Sequence, residues 1–253
     1  MIDTHSHLYA EEFNVDRQAM FERAREVGVT SVYLPAIDSS SHEAMMQAVA
    51  ESDGLCIPMM GLHPCYVGHD YIDQLELVEA WLKREKFAAI GEVGLDFYHS
   101  VEFCNQQEEA FAKQIGLALQ YELPLVIHSR SSLDECIKMI ADVGQGKVKG
   151  IFHCFGGDER QARKIIDMGF MLGIGGVVTY KNAGLALLVE KLPLEAMVLE
   201  TDAPYLTPVP FRGKRNETAY VQYVAEKIAS LKGISLKEVD EITTQNTKKI
   251  FRF

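Results

Sequence analysis

The feature that most constrains this chain is a repeated alternation. Eight short runs, nearly continuous in apolar and β-branched residues, recur along it: MIDTH (1–5), VTSVYLPAI (29–37), LCIPMMGLH (55–63), FAAIGEVGLD (87–96), LPLVIHS (123–129), KGIFHCF (149–155), FMLGIGG (170–176) and AMVLETD (196–202). Runs of this length and character read as parallel strands covered on both faces. The segments between them read as helices. After CNQQEE, Phe111, Ile115, Ala118 and Leu119 mark one helical face, with Asn105 as the expected cap. NVDRQAMFERAREVG predicts a helix from a cap at Asn14 to a stop at Gly28. Ser235 and Glu238 stand in capping-box spacing ahead of a stripe of Leu236, Val239, Ile242, Asn246 and Ile250. Strictly alternating β and α elements imply a parallel sheet with right-handed crossovers. Eight strands within 253 residues favour an α/β fold of the (β/α)8 TIM-barrel type, spanning 1–253 as a single domain, over an open doubly wound sheet. No G-x-G-x-x-G follows the first run and no P-loop occurs, so dinucleotide and Walker-type sites lose their main support.

Composition narrows the function classes. With 47% hydrophobic and 24% charged residues the chain can bury a large core, and disorder is not a competitive reading. The net charge of −11 is opposite to the basic footprint of a protein that grips long duplex DNA, so any work on nucleic acid must rely on a local site. The start MIDTHSHL has no basic and apolar leader pattern, and no apolar run approaches the ~20 residues of a membrane helix. The expectation is a cytoplasmic protein with no membrane partner. Its five cysteines include no C-x-x-C pair, which suggests reduced thiols. Nothing in the pattern calls for an obligate protein partner, and a monomer is expected.

Polar residues fall at the ends of the apolar runs. His5 and His7 close the first, Glu92 lies in the fourth, His128 closes the fifth, His153 the sixth and Asp202 the eighth. On an extended segment positions i and i+2 share a face, so His5 and His7 project together. Taken singly, a histidine after an apolar run reads as a satisfied core residue, and a strand-end carboxylate as half of an ion pair. In a barrel, however, all eight strand ends converge on one mouth. Four histidines and two carboxylates gathered there without a shared partner would be costly to bury, which points to metal.

Six ligands suit two divalent cations bridged by a carboxylate. The simplest allocation gives His5, His7 and Asp202 to one ion, His128 and His153 to the other, and Glu92 to both. Zn2+, Mn2+ and Fe2+ all suit mixed imidazole and carboxylate ligands, while Mg2+ needs fewer nitrogens. The chemistry such a pair supports is hydrolysis by an acidified water, with Asp202 and Glu92 as the catalytic carboxylates and Asp202 orienting the water or taking its proton.

The motifs MIDTHSHL, GLHP, GEVGLDFY, PLVIHSRSSLDE, IFHCFGG, VLETDAPYLTP and RGKRNE, in that order along nearly the whole chain, resemble the TatD family of metal-dependent deoxyribonucleases, within the wider amidohydrolase-type barrels. The resemblance implies the same barrel and matches His5, His7, Glu92, His128, His153 and Asp202 to the family's metal positions. It implies DNA as substrate, most simply as single strands or ends. Glu92 stands where related amidohydrolases carry a carboxylated lysine. Two positions depart from the pattern: Tyr9, where Asp or Asn is frequent, and Ser132, where Thr or Ala is usual. Both bear on loop geometry and substrate contacts.

Around this set, His63 and Arg130 are candidate substrate-binding residues. An imidazole donor suits a phosphate oxygen, and a guanidinium fork grips phosphate in bidentate fashion; a structural histidine and a salt bridge are the bland alternatives. Glu200 shares a face with Asp202 and is a candidate to orient the site, as is Asp96, which alternatively caps the next segment. Arg212, Lys214 and Arg215 form either a backbone-attracting patch or a solvated loop. Phe97, Tyr98, Phe155, Tyr180 and Tyr205 are candidate base-stacking platforms. His42, His69 and His99 fit no ligand pattern. The leading reading is a nuclease that trims DNA ends; the competing ones are a barrel hydrolase of small amides, esters or lactones, and an idle scaffold that keeps the metals for stability.

Overall fold

All eight predicted runs form strands in the computed structural model, which describes residues 1–251. They are β1 (Ile2–Asp3), β2 (Ser31–Pro35), β3 (Cys56–Met59), β4 (Ile90–Asp96), β5 (Leu125–Arg130), β6 (Gly150–Phe152), β7 (Met171–Ile174) and β8 (Met197–Leu199). Helices alternate with them: α1 (Arg17–Glu26), α2 (His42–Glu51), α3 (Tyr71–Arg84), α4 (Cys104–Tyr121), α5 (Leu133–Gly144), α6 (Glu159–Asp167), α7 (Leu185–Lys191), α8 (Val221–Lys232) and α9 (Leu236–Ile250). Every strand pairing is parallel, in two arcs ordered β1-β2-β3 and β4-β5-β6-β7-β8. Two seams close the arcs into a barrel. Met60 bridges Ile90 and Ser6 bridges Ala203, both in parallel sense. Thr4 N–H adds a bond to Leu199 O at 2.9 Å, and Gly91 N–H one to Met60 O at 3.0 Å.

Strand alternation separates two cores. Val32, Leu34, Leu125, Ile127, Met197 and Leu199 point outward into the large cluster shared with the helices. Their neighbours Tyr33, Val126, Ile151 and Val198 form a second cluster with Ile2, Met59 and Ile250. Side chains from strands this far apart around the sheet meet only through the lumen, so this cluster fills the bottom of the barrel. Phe251, at the end of α9, stacks on Tyr33 with ring centroids 4.0 Å apart and plugs that end. Each such buried side chain contributes about 1.5–3 kcal/mol, which fixes the parity of its strand. The same parity carried two residues onward turns His128, His153 and Glu200 into the lumen at the opposite end.

Helix starts depart from expectation in two places. Asn14 already has helical backbone angles, φ −58° and ψ −31°, as the close of a preceding turn over Glu11–Phe13. A cap needs extended geometry, so Asn14 instead accepts a bond from the Arg17 guanidinium at 2.7 Å, and α1 opens behind Asp16. Asn105 lies inside the first turn of α4, which opens behind Phe103 without a side-chain cap. The stop at Gly28 holds, with φ +82° just past α1. The Ser235 and Glu238 capping box forms as read, and Val239, Asn246 and Ile250 of the α9 stripe are buried while Leu236 is exposed. Among the described residues no helix is long and apolar enough to cross a membrane.

Candidate functional site

Glu92, on β4 and 2% exposed, is the centre of the barrel mouth. Its two carboxylate oxygens face two sets of imidazoles. Oε2 lies 3.1 Å from His5 Nε2 and 3.6 Å from His7 Nε2, on the segment after β1. Oε1 lies 3.0 Å from His128 Nδ1 at the end of β5, 3.4 Å from His63 Nε2 beyond β3, and 3.7 Å from His153 Nε2 beyond β6. Asp202 closes the first set, its Oδ1 3.5 Å from His7 Nε2, 3.8 Å from His5 Nε2 and 3.9 Å from His153 Nε2. Asp202 takes this position through a left-handed backbone, φ +57°, and its N–H binds His5 O at 2.9 Å, which ties the end of β8 to the first histidine.

All six residues read as metal ligands therefore meet, and His63, read as a substrate contact, stands among them. His153 does not divide neatly between two sets: it reaches both carboxylates, and its ring stacks on that of His5 at 3.4 Å.

The partners behind each ring decide which nitrogen carries a lone pair. Tyr9 O–H donates to Pro35 O at 2.6 Å, so the hydroxyl accepts from His7 Nδ1–H at 3.0 Å and His7 Nε2 turns a lone pair inward. Asp96 Oδ2 sits 2.9 Å from His128 Nε2, which places that ring's proton there and leaves Nδ1 bare toward Glu92. Glu200 Oε1 lies 3.1 Å from His153 Nδ1 as an ion-pair partner without the alignment of a hydrogen bond, and accepts Cys154 N–H at 2.7 Å. His63 is the reverse case. Its Nδ1 accepts from Cys65 N–H at 3.1 Å, so Nε2 carries the proton and is a donor.

The two lone pairs, on His7 Nε2 and His128 Nδ1, aimed at carboxylate oxygens repel them unless a positive charge sits between. On the far sides of their rings, His5 Nδ1 and His153 Nδ1 are buried without a hydrogen-bond partner. The donor set thus fits divalent cations held by His5, His7, His128, His153, Glu92 and Asp202, and it excludes His63 Nε2 as a ligand in its neutral form.

Protons on the facing imidazoles are the alternative to a cation. Burial works against ionisation of Glu92, but the facing His5, His63 and His153 outweigh it and hold the carboxyl well below its usual range. Asp202 follows the same pattern, burial opposed and exceeded by the bond from His7 and the charges of His153 and His5. Burial also disfavours charge on His153, yet Glu200 and Glu92 push it up to about 10. Desolvation lowers His63. The two carboxylates stay ionised and draw positive charge, from protons or from cations, onto the residues that face them.

A cavity of about 1340 Å3 opens above this cluster. On its rim the Arg130 guanidinium stacks over the Tyr98 ring at 4.0 Å and, among the described residues, forms no ion pair, which removes the bland reading. Ser132 sets the loop that carries it, donating to Leu95 O at 2.6 Å and accepting from Arg130 N–H at 3.2 Å. Tyr98 and Tyr205 are exposed, whereas Phe155 is buried in the core and is no platform. Tyr180 sits under the Arg212 guanidinium at 4.1 Å. Arg215 is engaged in structure, paired to Asp16 at 2.7 Å, so the basic stretch is not a free patch.

Several residues escaped sequence reasoning. Tyr9, read only as a loop departure, orients His7; its signal was the same i+2 spacing that joins His5 and His7. Tyr66 lines the cavity, exposed. Asp3 is buried and ties β1 to the end of β8 through Thr201 N–H at 2.9 Å and Thr201 Oγ1 at 2.6 Å. His99, which fitted no ligand pattern, lies against Asp96 and Cys65.

Comparison with known proteins places the fold and the chemistry in one lineage. A family model described as TatD related DNase matches residues 2–252. The chain is 40% identical over 257 residues to the uncharacterized metal-dependent hydrolase YabD of Bacillus subtilis (strain 168), covering 100% of this chain and 99% of that protein. It is 30% identical over 258 residues to a protein named 3'-5' ssDNA/RNA exonuclease TatD from Pantoea ananatis, covering 99% of each. Among solved structures, YJJV, a TatD homolog from Escherichia coli k12, superposes with a TM-score of 0.93 at 29% identity, over 100% of this chain and 98% of that one.

Proposed function

The chain belongs to the TatD-related DNase family and is a metal-dependent hydrolase, and on that premise we propose that it cleaves phosphodiester bonds of DNA, trimming single strands or ends, with two divalent cations as cofactors. The observation that supports this most is the pairing, in one cavity, of inward lone pairs around Glu92 with the rim guanidinium of Arg130, which has no ion pair among the described residues. The exonuclease name of the Pantoea relative supports nucleic acid as the substrate class.

In this reading His5, His7 and Asp202 would hold one cation and His128 and His153 the other, with Glu92 shared between them. Zn2+ or Mn2+ suits so many imidazoles better than Mg2+. The cations, when bound, neutralise the scissile phosphate and acidify a water. Asp202 would orient the attacking water and take its proton, which would pass to the oxygen that leaves phosphorus on the opposite side. Arg130 holds non-bridging phosphate oxygens with its two parallel N–H donors, and His63 Nε2–H donates to another. Tyr66, Tyr98 and Tyr205 offer exposed ring faces to unstacked bases, which suits a flexible strand end better than rigid duplex. The enzyme is read as a cytosolic monomer.

Arg130→Ala separates this from action on a small neutral substrate. Losing a phosphate donor should lower kcat/KM on a phosphodiester about 100-fold. Turnover of an aryl ester or lactone that exceeds phosphodiester turnover and is indifferent to Arg130→Ala would replace the nuclease with a small-molecule hydrolase.

A further inference from the structure

A second cluster of metal-ligating side chains stands on the rim, beside the first and outside it. Cys65 follows β3, and Asp96 and His99 lie at and beyond the end of β4. Asp96 Oδ2 is 3.3 Å from Cys65 Sγ and 2.9 Å from His99 Nδ1, and Sγ is 3.5 Å from Nδ1. Tetrahedral zinc, with bonds of about 2.3 Å to sulfur and about 2.0–2.1 Å to nitrogen or oxygen, sets edges of roughly 3.3–3.6 Å between such ligands. The three atoms already match that triangle to within a few tenths of an ångström.

We propose that Cys65 Sγ, Asp96 Oδ2 and His99 Nδ1 form a further binding site for a thiophilic divalent cation such as Zn2+, distinct from the cluster around Glu92. Two features beyond proximity support it. The Asp96 carboxylate is fixed in advance, because its Oδ1 accepts the N–H groups of Tyr98 at 3.0 Å and His99 at 2.9 Å. Its Oδ2 meanwhile meets three donors at once, from Cys65, His99 and His128, more than one carboxylate oxygen accommodates well. A cation replaces two of them. Cys65 gives up its thiol proton to solvent, His99 moves its proton to Nε2, and the thiolate and carboxylate together balance the dication. Without the cation, burial and the neighbouring Asp96 push the Cys65 thiol up to about 12, so it stays protonated and unreactive. Cys65 and His99 both line the open cavity, which gives the ion a path from solvent.

The site predicts a sulfur signature. Titrating metal-free full-length protein with Co2+ should produce a thiolate-to-cobalt charge-transfer band in the near ultraviolet, and one more equivalent of bound Co2+ than Cys65→Ser or His99→Ala retains. The band should survive Cys154→Ser, the control for the thiol beside His153. Equal stoichiometry in wild type and Cys65→Ser would overturn the proposal. So would the absence of a thiolate band, or a band that follows Cys154. Both rim variants change side chains at the solvent edge, His99 being 54% exposed, so folding is not at stake.

Discussion

At the scale of single residues, the chemistry of the mouth is decided by groups that never face the cavity centre. Tyr9 and Asp96 each hold the far nitrogen of one histidine and so choose which near nitrogen is bare. Tyr9→Phe removes one of these choices without changing the ring that packs there. His7 is then free to adopt the other tautomer, and cation affinity should fall about 10- to 100-fold, as for other losses of a ligand's supporting partner. Competition with a fluorescent chelator measures this, and unchanged affinity would mean that Tyr9 serves packing alone. The accompanying stability loss should be about 1 kcal/mol, the lost bond to Pro35 O. His63 shows what sequence could not supply: its residue type was visible, but its role as a donor depends on the Cys65 N–H behind it.

At the scale of elements, β4 and β5 set the spacing between Glu92 and His128. Gly94 pairs with His128 across them, with φ +137° and the His128 carbonyl oxygen only 2.0 Å from where a Cβ would stand. Gly94→Ala should therefore cost about 3 kcal/mol, from the backbone conformation and the forced separation of the strands together. Gly146→Ala is the control, since its φ is +68° but nothing lies within 4 Å, and about 1 kcal/mol is expected there. Urea unfolding of both variants checks the difference, and equal losses would deny the close approach. The strands were legible in sequence because burial on both faces leaves unbroken apolar runs, and their end residues were legible because those runs stop at polar groups. The starts of α1 and α4 were not. Capping at Asn14 depended on a backbone angle already committed to the preceding turn, which no side-chain pattern records. Contacts between loops, such as Cys65 with His99, were hidden for the same reason: 34 residues separate them, and only the β3–β4 seam brings them together.

At the scale of the whole molecule, the barrel is closed partly by charge. Asp16, at the start of α1, is bound by Arg215 from the segment after β8 and by Arg23, which also grips Glu217. The bond from Arg215, stronger here than the opposing effect of burial, holds the Asp16 carboxyl down to about 2 from an ordinary 3.8. Because the folded-state value is depressed, this contribution is full above the ordinary value and is lost as pH falls from about 4 toward 2. Asp16→Asn should be less stable than wild type by about 1 kcal/mol at pH 7, a modest figure because the network is solvent-screened. The gap should narrow between pH 4 and pH 3 in denaturant titrations; a gap constant over that range would assign the loss to packing. Above this frame sits the central claim, a metal-dependent nuclease working on strand ends from one cavity. Its most direct test is the cleavage of an end-labelled single-stranded DNA oligonucleotide by protein stripped of metal and resupplied with Mg2+, Mn2+ or Zn2+ in turn, beside folded Asp202→Ala. A ladder that shortens progressively from one end and requires added cation is expected, with cleavage lower by a factor of about 1000 in the variant. Intact oligonucleotide with every cation, in protein shown to bind metal, or undiminished cleavage by Asp202→Ala, would contradict it.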